Sequence, residues 1–344
     1  MAEVRRESRS PVAGPPNATE IKRRGDDDFA GSISQGAGSA RGPGEATPRI
    51  PDAQSIDFTD PALRYRVWAG HDDRRTFLCL HGLGGTHLHW AAVADALSVH
   101  GRVVAVDLPG FGGSGPSDGI TSVEAMSRGV DLARNLFCAG RLILVGHDLG
   151  AVVAMTEAGR AMQTEGLVLT SPPLPPHDGG ADRVGAIFGS AGRLVELAGL
   201  TFSDPVQRAS SAERLAEEVI RKGSAPTRQF PEWIIDAVRR EARQTQEGHP
   251  AAAAASAGVS LLYHLGRPEW VEQTARRVVC PVLVIHGTAD AQVPLEWSRE
   301  LCRGRREWTL QEIEGAGHSA HIDSPELWAT AVVDWLDGVA APLV

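Results

Sequence analysis

The chain has 344 residues, 42% hydrophobic and 22% charged, which suits an ordinary globular protein with one sizeable core and an inserted subdomain, or with two modest domains. Its formal net charge of −9 disfavours a nucleic-acid backbone or an anionic membrane as partner, because both would repel it. No apolar run reaches the ~18 residues of a membrane span, and Cys79, Cys138, Cys280 and Cys302 fall in no metal or disulfide spacing, so they read as buried thiols.

Residues 1–50 are rich in Gly, Pro, Ser, Arg and Asp and carry no periodic apolar positions, which predicts a disordered tail. Its arginine pairs, Arg5-Arg6 and Arg23-Arg24, are followed by no apolar segment, so no export signal is expected and the location is expected to be cytoplasmic. Leu63–Trp68 alternates like a half-buried edge strand. Short continuous apolar runs at 76–80, 103–106, 142–145, 167–169 and 281–285 suit parallel strands covered on both faces.

Helical patterns separate these runs. Trp90, Val93, Ala94 and Leu97 share one helix face. Thr121 and Glu124 have capping-box spacing, and Ser324-Pro325 opens the last helix. Strands alternating with helices predict an α/β fold with a mostly parallel, doubly wound sheet. Between 172 and 277 the alternation stops, leaving helical segments at 211–222, 232–243 and 251–265. This stretch predicts a helical cap over the sheet's carboxyl edge, with 51–171 and 278–344 forming the core domain.

The chemistry-bearing pattern is an apolar strand running into Gly146-His147-Asp148-Leu149-Gly150-Ala151 and then a helix. A sharp turn that exposes one side chain needs small residues on either side, and Gly146 and Gly150 supply them. The sequence His81-Gly82-Leu83-Gly84-Gly85 follows the 76–80 run, Asp290 follows the 281–285 run, and His318 precedes the last helix. These pieces, in this order, resemble the α/β-hydrolase family from about residue 56 to 338. The resemblance implies a nucleophile at Asp148, a base at His318, its orienting acid at Asp290, and an oxyanion hole from the amides of Leu83 and Leu149. His81, Gly82, Gly146 and Gly150 would support that site.

Aspartate stands where most of the family carries serine. A carboxylate attacking an acyl carbon would form a high-energy anhydride, whereas attack on a saturated carbon gives an ordinary ester. Gly-His-Asp-x-Gly resembles the epoxide hydrolases and haloalkane dehalogenases, and the expected reaction is opening of an epoxide through an alkyl-Asp148 ester. The chain departs from both groups. Leu149 replaces the tryptophan that commonly follows this aspartate, and Leu83-Gly84 replaces the x-Pro of the epoxide hydrolase loop. Epoxide hydrolases also use two cap tyrosines as the acid; here Tyr263 is the candidate, with His264 as a substitute and Tyr65 remote in the N-terminal hairpin.

Dehalogenation, or another α/β-hydrolase-type hydrolysis, is the alternative within the class. Outside it stand a lyase or isomerase using His318 as base, and a ligand-binding pseudoenzyme. The expected partner is a small, mostly apolar substrate, with no metal and no organic cofactor. His147 is expected to point away from the pocket, the i, i+2 spacing of His87 and His89 does not suit a metal site, and His321 is expected to pack at a helix start.

Overall fold

A computed structural model describes residues 54–56, 63–72, 74–115, 121–138, 140–160, 164–175, 217, 219–228, 231–244 and 250–340. The predicted 1–50 tail lies outside them. Eight strands form one sheet: β1 (Gln54–Ile56), β2 (Leu63–Trp68), β3 (Arg75–Leu80), β4 (Arg102–Val106), β5 (Arg141–His147), β6 (Thr164–Thr170), β7 (Val282–Gly287) and β8 (Trp308–Ile313). Their order is β1-β2-β4-β3-β5-β6-β7-β8. From β4 to β8 every pairing is parallel, while β1 and β2 join antiparallel at one end.

The five apolar runs are therefore strands, buried on both faces by the period-2 alternation of side chains. Leu78 and Leu80 of β3 enter one core cluster and Phe77 and Cys79 enter the other. The first cluster packs beneath α2 (Val123–Phe137) and α3 (Leu149–Ala158), and the second beneath α1 (Ala91–Ser98). The predicted face Trp90, Val93, Ala94 and Leu97 is fully buried there.

Three local expectations change. Leu63–Trp68 is not the outermost strand, because β1 covers its free edge. The cap of α2 is Ser122, whose hydroxyl accepts from the Ala125 amide at 3.2 Å, one residue beyond Thr121. And β8 is a strand that the apolar runs do not reveal: at the sheet edge only one face meets the core, so Trp308–Ile313 alternates instead of running apolar.

Among the described residues of 172–277 there is no strand. They form a helical turn at 219–223, then α4 (Glu232–Gln244), α5 (Pro250–Leu265) and α6 (Pro268–Arg277). The predicted start of a helix at 211 lies outside the described residues. After β7 come α7 (Leu295–Cys302), β8, the short α8 (Ala320–Asp323) and α9 (Pro325–Ala340), whose Trp328 is buried and donates its indole N–H to Thr170 at 2.9 Å. No described helix is long and apolar enough to cross a membrane. Cys79 and Cys280 are buried and Cys138 and Cys302 half-buried; burial lifts the last two to about 12 and about 11, so they stay protonated.

Helix α4 is tied to β2 and to the loops after β3 and β4 by a charge network. His87 donates from Nδ1 to Asp107 at 2.8 Å, and its Nε2 lies 3.3 Å from Glu241 of α4, which also pairs with Arg64 at 2.7 Å and Arg66 at 3.6 Å. Burial alone would lower the His87 pKa, but Asp107 and then Glu241 override it and raise it to about 9. A raised folded-state pKa gives stability that is fully present below the unfolded value of about 6.5 and lost as pH rises through about 9. We expect the melting temperature to fall between about pH 6.5 and 9.5 by the equivalent of up to ~3 kcal/mol. In His87→Gln that fall should vanish from the pH–melting curve; an identical fall in the variant would remove His87 from the effect.

Candidate active site

The site is built at the carboxyl end of the central strands. β5 ends at His147, and the chain turns at Asp148 with φ 50° and ψ −118° before α3 starts at Leu149. Among the described residues only Asp148 and Ser171 are non-glycine residues at positive φ. Such a conformation costs on the order of 1–3 kcal/mol and persists where the surroundings enforce it. Here the enforcement is close packing: a Cβ on Gly146 would sit 2.4 Å from the Gly150 carbonyl oxygen, and one on Gly150 2.3 Å from that of Leu80.

The loop after β3 faces this turn. Leu83 donates its amide to Asp148 Oδ2 at 2.9 Å. Gly82 permits the approach, since a Cβ there would lie 2.8 Å from His147 Nδ1 and 3.1 Å from Asp148 Oδ2. His81 is buried and braces the loop: Nδ1 donates to the Gly82 carbonyl at 2.8 Å, and Nε2 accepts from the Leu108 amide at 2.9 Å. Both ring nitrogens are thus consumed structurally. Leu149 is buried, and the Asp148 carboxylate makes no capping hydrogen bond into α3. One of the two expected hole amides is therefore engaged by the resting carboxylate.

His318 approaches from the other side. Its Nε2 lies 3.9 Å from Asp148 Oδ1, beyond hydrogen-bond range, and its Nδ1 donates to Asp290 Oδ2 at 2.9 Å. The Asp290 side chain is fully buried and also accepts from the amides of Gln292 (2.8 Å) and Val293 (3.0 Å), and its Oδ2 lies 3.1 Å from His286 Nε2, which donates to the Val293 carbonyl at 3.1 Å. Burial would raise its pKa, but His318 and His286 outweigh that and hold it well below the usual carboxylate range. In return Asp290 outweighs the burial of His318, whose pKa is raised above 6.5. The structure thus brings Asp148, Leu83, His318 and Asp290 together, around one carboxylate oxygen that is held and one that is presented.

Two contributors were not anticipated. His286 sits four residues before Asp290, where an i, i+4 pair at a strand end is a readable signal. Asp323 is buried, and its Oδ2 accepts from Gly317 at 2.8 Å and from Ala225 of the insertion at 2.9 Å. The Ser319 amide donates to the Gly223 carbonyl at 2.7 Å, so residues 223–225 dock on the loop that carries His318. Nothing in the sequence around Asp323 marks that role.

Tyr263 is a correction. It is 62% exposed, its hydroxyl accepts from Arg267 at 2.9 Å, and no contact joins it to Asp148. His264 is turned to Glu124 at 2.8 Å, and Tyr65 is buried against Phe137. Of the other histidines, His89 is buried beneath Gly85, and His321 stacks on Trp90 at 4.4 Å.

The parallel sheet, the strained elbow at its carboxyl edge and the His–Asp pair facing it define an α/β-hydrolase. The chain matches the model of the alpha/beta hydrolase family over residues 77–331 and belongs to that family. It is 28% identical over 296 residues, 82% of this chain and 98% of the other, to a Caulobacter sp. (strain K31) protein assigned as the carbamate hydrolase RutD. It is 35% identical over 130 residues to epoxide hydrolase 3 of Xenopus tropicalis, covering 36% of this chain and 35% of that one. A solved structure from Pseudomonas aeruginosa assigned as an epoxide hydrolase superposes with a TM-score of 0.66 at 22% identity, covering 85% and 98% of the two chains. The protein is a hydrolase of the α/β-hydrolase type.

Proposed function

We propose that the protein opens an epoxide on a small, mostly apolar substrate through a covalent ester on Asp148. The observation that carries this reading is the division of labour on one carboxylate, Oδ2 held by the Leu83 amide and Oδ1 directed towards His318. Asp148 Oδ1 attacks an epoxide carbon, that carbon's bond to the ring oxygen breaks, and the released oxygen takes a proton from solvent. Both tyrosines of the chain lie elsewhere, so neither supplies that proton. His318, oriented by Asp290, then takes a proton from water as it attacks Cγ of the ester. The developing charge falls on Oδ2, where the Leu83 amide, joined by that of Leu149, stabilises it by roughly 3 kcal/mol per donor. The histidine finally returns its proton to the departing diol oxygen.

The 172–277 insertion is read as the cap, with 51–171 and 278–344 as the core, and the tail from 1 to 50 as outside the catalytic unit. No metal or cofactor enters any step of this reaction. Carbamate hydrolysis, the activity in the name of the Caulobacter relative, would ask Asp148 to form an anhydride, as would ester hydrolysis, and its chemistry disfavours that. Purified enzyme assayed against parallel panels of epoxides, haloalkanes, carbamates and esters should turn over an epoxide, and Asp148→Ala should abolish that turnover. Faster carbamate or ester turnover that survives Asp148→Ala would overturn the reading.

A further inference from the structure

The elbow carries a histidine one residue ahead of Asp148 to which the reaction above gives no task. His147 ends β5 and is 2% exposed. Its Nε2 lies 3.1 Å from the backbone carbonyl oxygen of His318, across 171 residues of chain. A carbonyl oxygen only accepts, so Nε2 carries the proton and Nδ1 is the bare nitrogen. The ring lies 4.7 Å from that of His318 and 4.6 Å from that of His321. Burial first, and the neighbouring His321, His318 and His89 behind it, hold its pKa well below 6.5, so the ring stays neutral.

The backbone around His318 is held at three successive points. Gly317 donates to Asp323 at 2.8 Å and Ser319 donates to Gly223 at 2.7 Å. Between them, the His318 carbonyl accepts from His147. Only this middle tie originates in β5, one peptide away from Asp148. The outer two anchor the loop to α8 and to residue 223 of the helical stretch before α4. The middle tie therefore links base and candidate nucleophile by a path of one peptide and one hydrogen bond.

We propose that His147 is a positioning residue, setting the 3.9 Å separation of His318 Nε2 and Asp148 Oδ1 through its hydrogen bond to the His318 carbonyl. The proposal rests on the reading of Asp148 as nucleophile and His318 as base. The competing role is simple space-filling beside Gly82 and His321. Three variants separate the two. His147→Phe keeps the ring volume and loses the donor. His147→Gln places an amide N–H near the Nε2 position. His147→Asn is polar, but its amide falls short of the carbonyl.

Pre-steady-state kinetics with an accepted epoxide should show Phe and Asn slowing hydrolysis of the alkyl-enzyme by ~10–100-fold while alkylation stays within ~3-fold, since a displacement of about 1 Å suffices for such losses. Gln should recover hydrolysis to within ~3-fold, because the donor is restored. The companion readout is the His318 imidazole titration, followed by NMR on the full chain labelled with ¹⁵N-histidine. Among the described residues the ionisable groups about that ring are Asp290, Asp148, His147 and His321. The titration midpoint should move in Phe and Asn and hold in Gln. Equal losses in all three variants, or wild-type hydrolysis and titration in Phe and Asn, would overturn the proposal. Should His147→Phe not fold, Asn against Gln gives the same comparison. If the alkyl-enzyme never forms, the reading of Asp148 fails by itself. The titration still decides the tether: moved in Asn and kept in Gln upholds it, unmoved in both sinks it.

Discussion

His318→Gln, incubated with an accepted epoxide, should gain one whole substrate mass on the peptide containing Asp148, while steady-state turnover falls by ~10²–10⁴-fold. The two half-reactions ask different things of the site. Alkylation needs a carboxylate oxygen free to attack, and Oδ1 makes no hydrogen bond to His318 at 3.9 Å. Hydrolysis needs a base, and glutamine is none. The ester therefore forms and stays. The increment also names the electrophile: an epoxide adds its full mass, whereas a haloalkane adds its mass less the hydrogen halide. Absence of an adduct with every epoxide and haloalkane would contradict the scheme. In the wild type, His318 must be neutral to accept the proton. Its pKa is raised above 6.5 by Asp290, so hydrolysis should be lost as pH falls through a value above 6.5.

Gly150→Ala should lower the melting temperature by at least ~5 °C and turnover by more than ~100-fold. Its Cβ would fall 2.3 Å from the Leu80 carbonyl oxygen and 2.5 Å from that of His81. Both are main-chain atoms of β3 and the loop that presents the Leu83 amide, so no rotamer change relieves the clash. Either the elbow or the loop must move, and the 2.9 Å bond from Leu83 to Asp148 opens with it. Gly258 is the control. Nothing lies within 4 Å of its Cβ position inside α5, so Gly258→Ala should stabilise by about 0.5–1 kcal/mol. Calorimetry and turnover on the two variants check both statements; a Gly150→Ala protein as stable and active as the wild type would contradict the packing argument.

The central strands and the elbow were legible because their physics is local. A strand covered on both faces must be apolar throughout, and a turn at φ 50° must be flanked by residues without side chains. β8 escaped because an edge strand alternates, leaving no run to see. Tyr263 misled for a geometric reason that the sequence does contain. The buried stripe of α5 runs through Ala253, Ala257, Leu261 and Leu265, and Tyr263 stands two residues from the last two. At ~100° per residue that is nearly the opposite face. Asp323 and the tie from His147 to His318 were illegible because both depend on backbone groups, which any residue supplies. Tertiary docking decides where those groups meet.

The attack of Asp148 itself is tested most directly by a single turnover of wild-type enzyme, in excess over epoxide, in ¹⁸O-water. With Asp148 as nucleophile, the diol takes its new oxygen from the carboxylate, and the water oxygen stays behind on Cγ. The peptide containing Asp148 then gains ~2 Da while the first diol released is unlabelled. Label in that diol, with none in the peptide, would mean that water attacks the substrate directly and that Asp148 forms no ester.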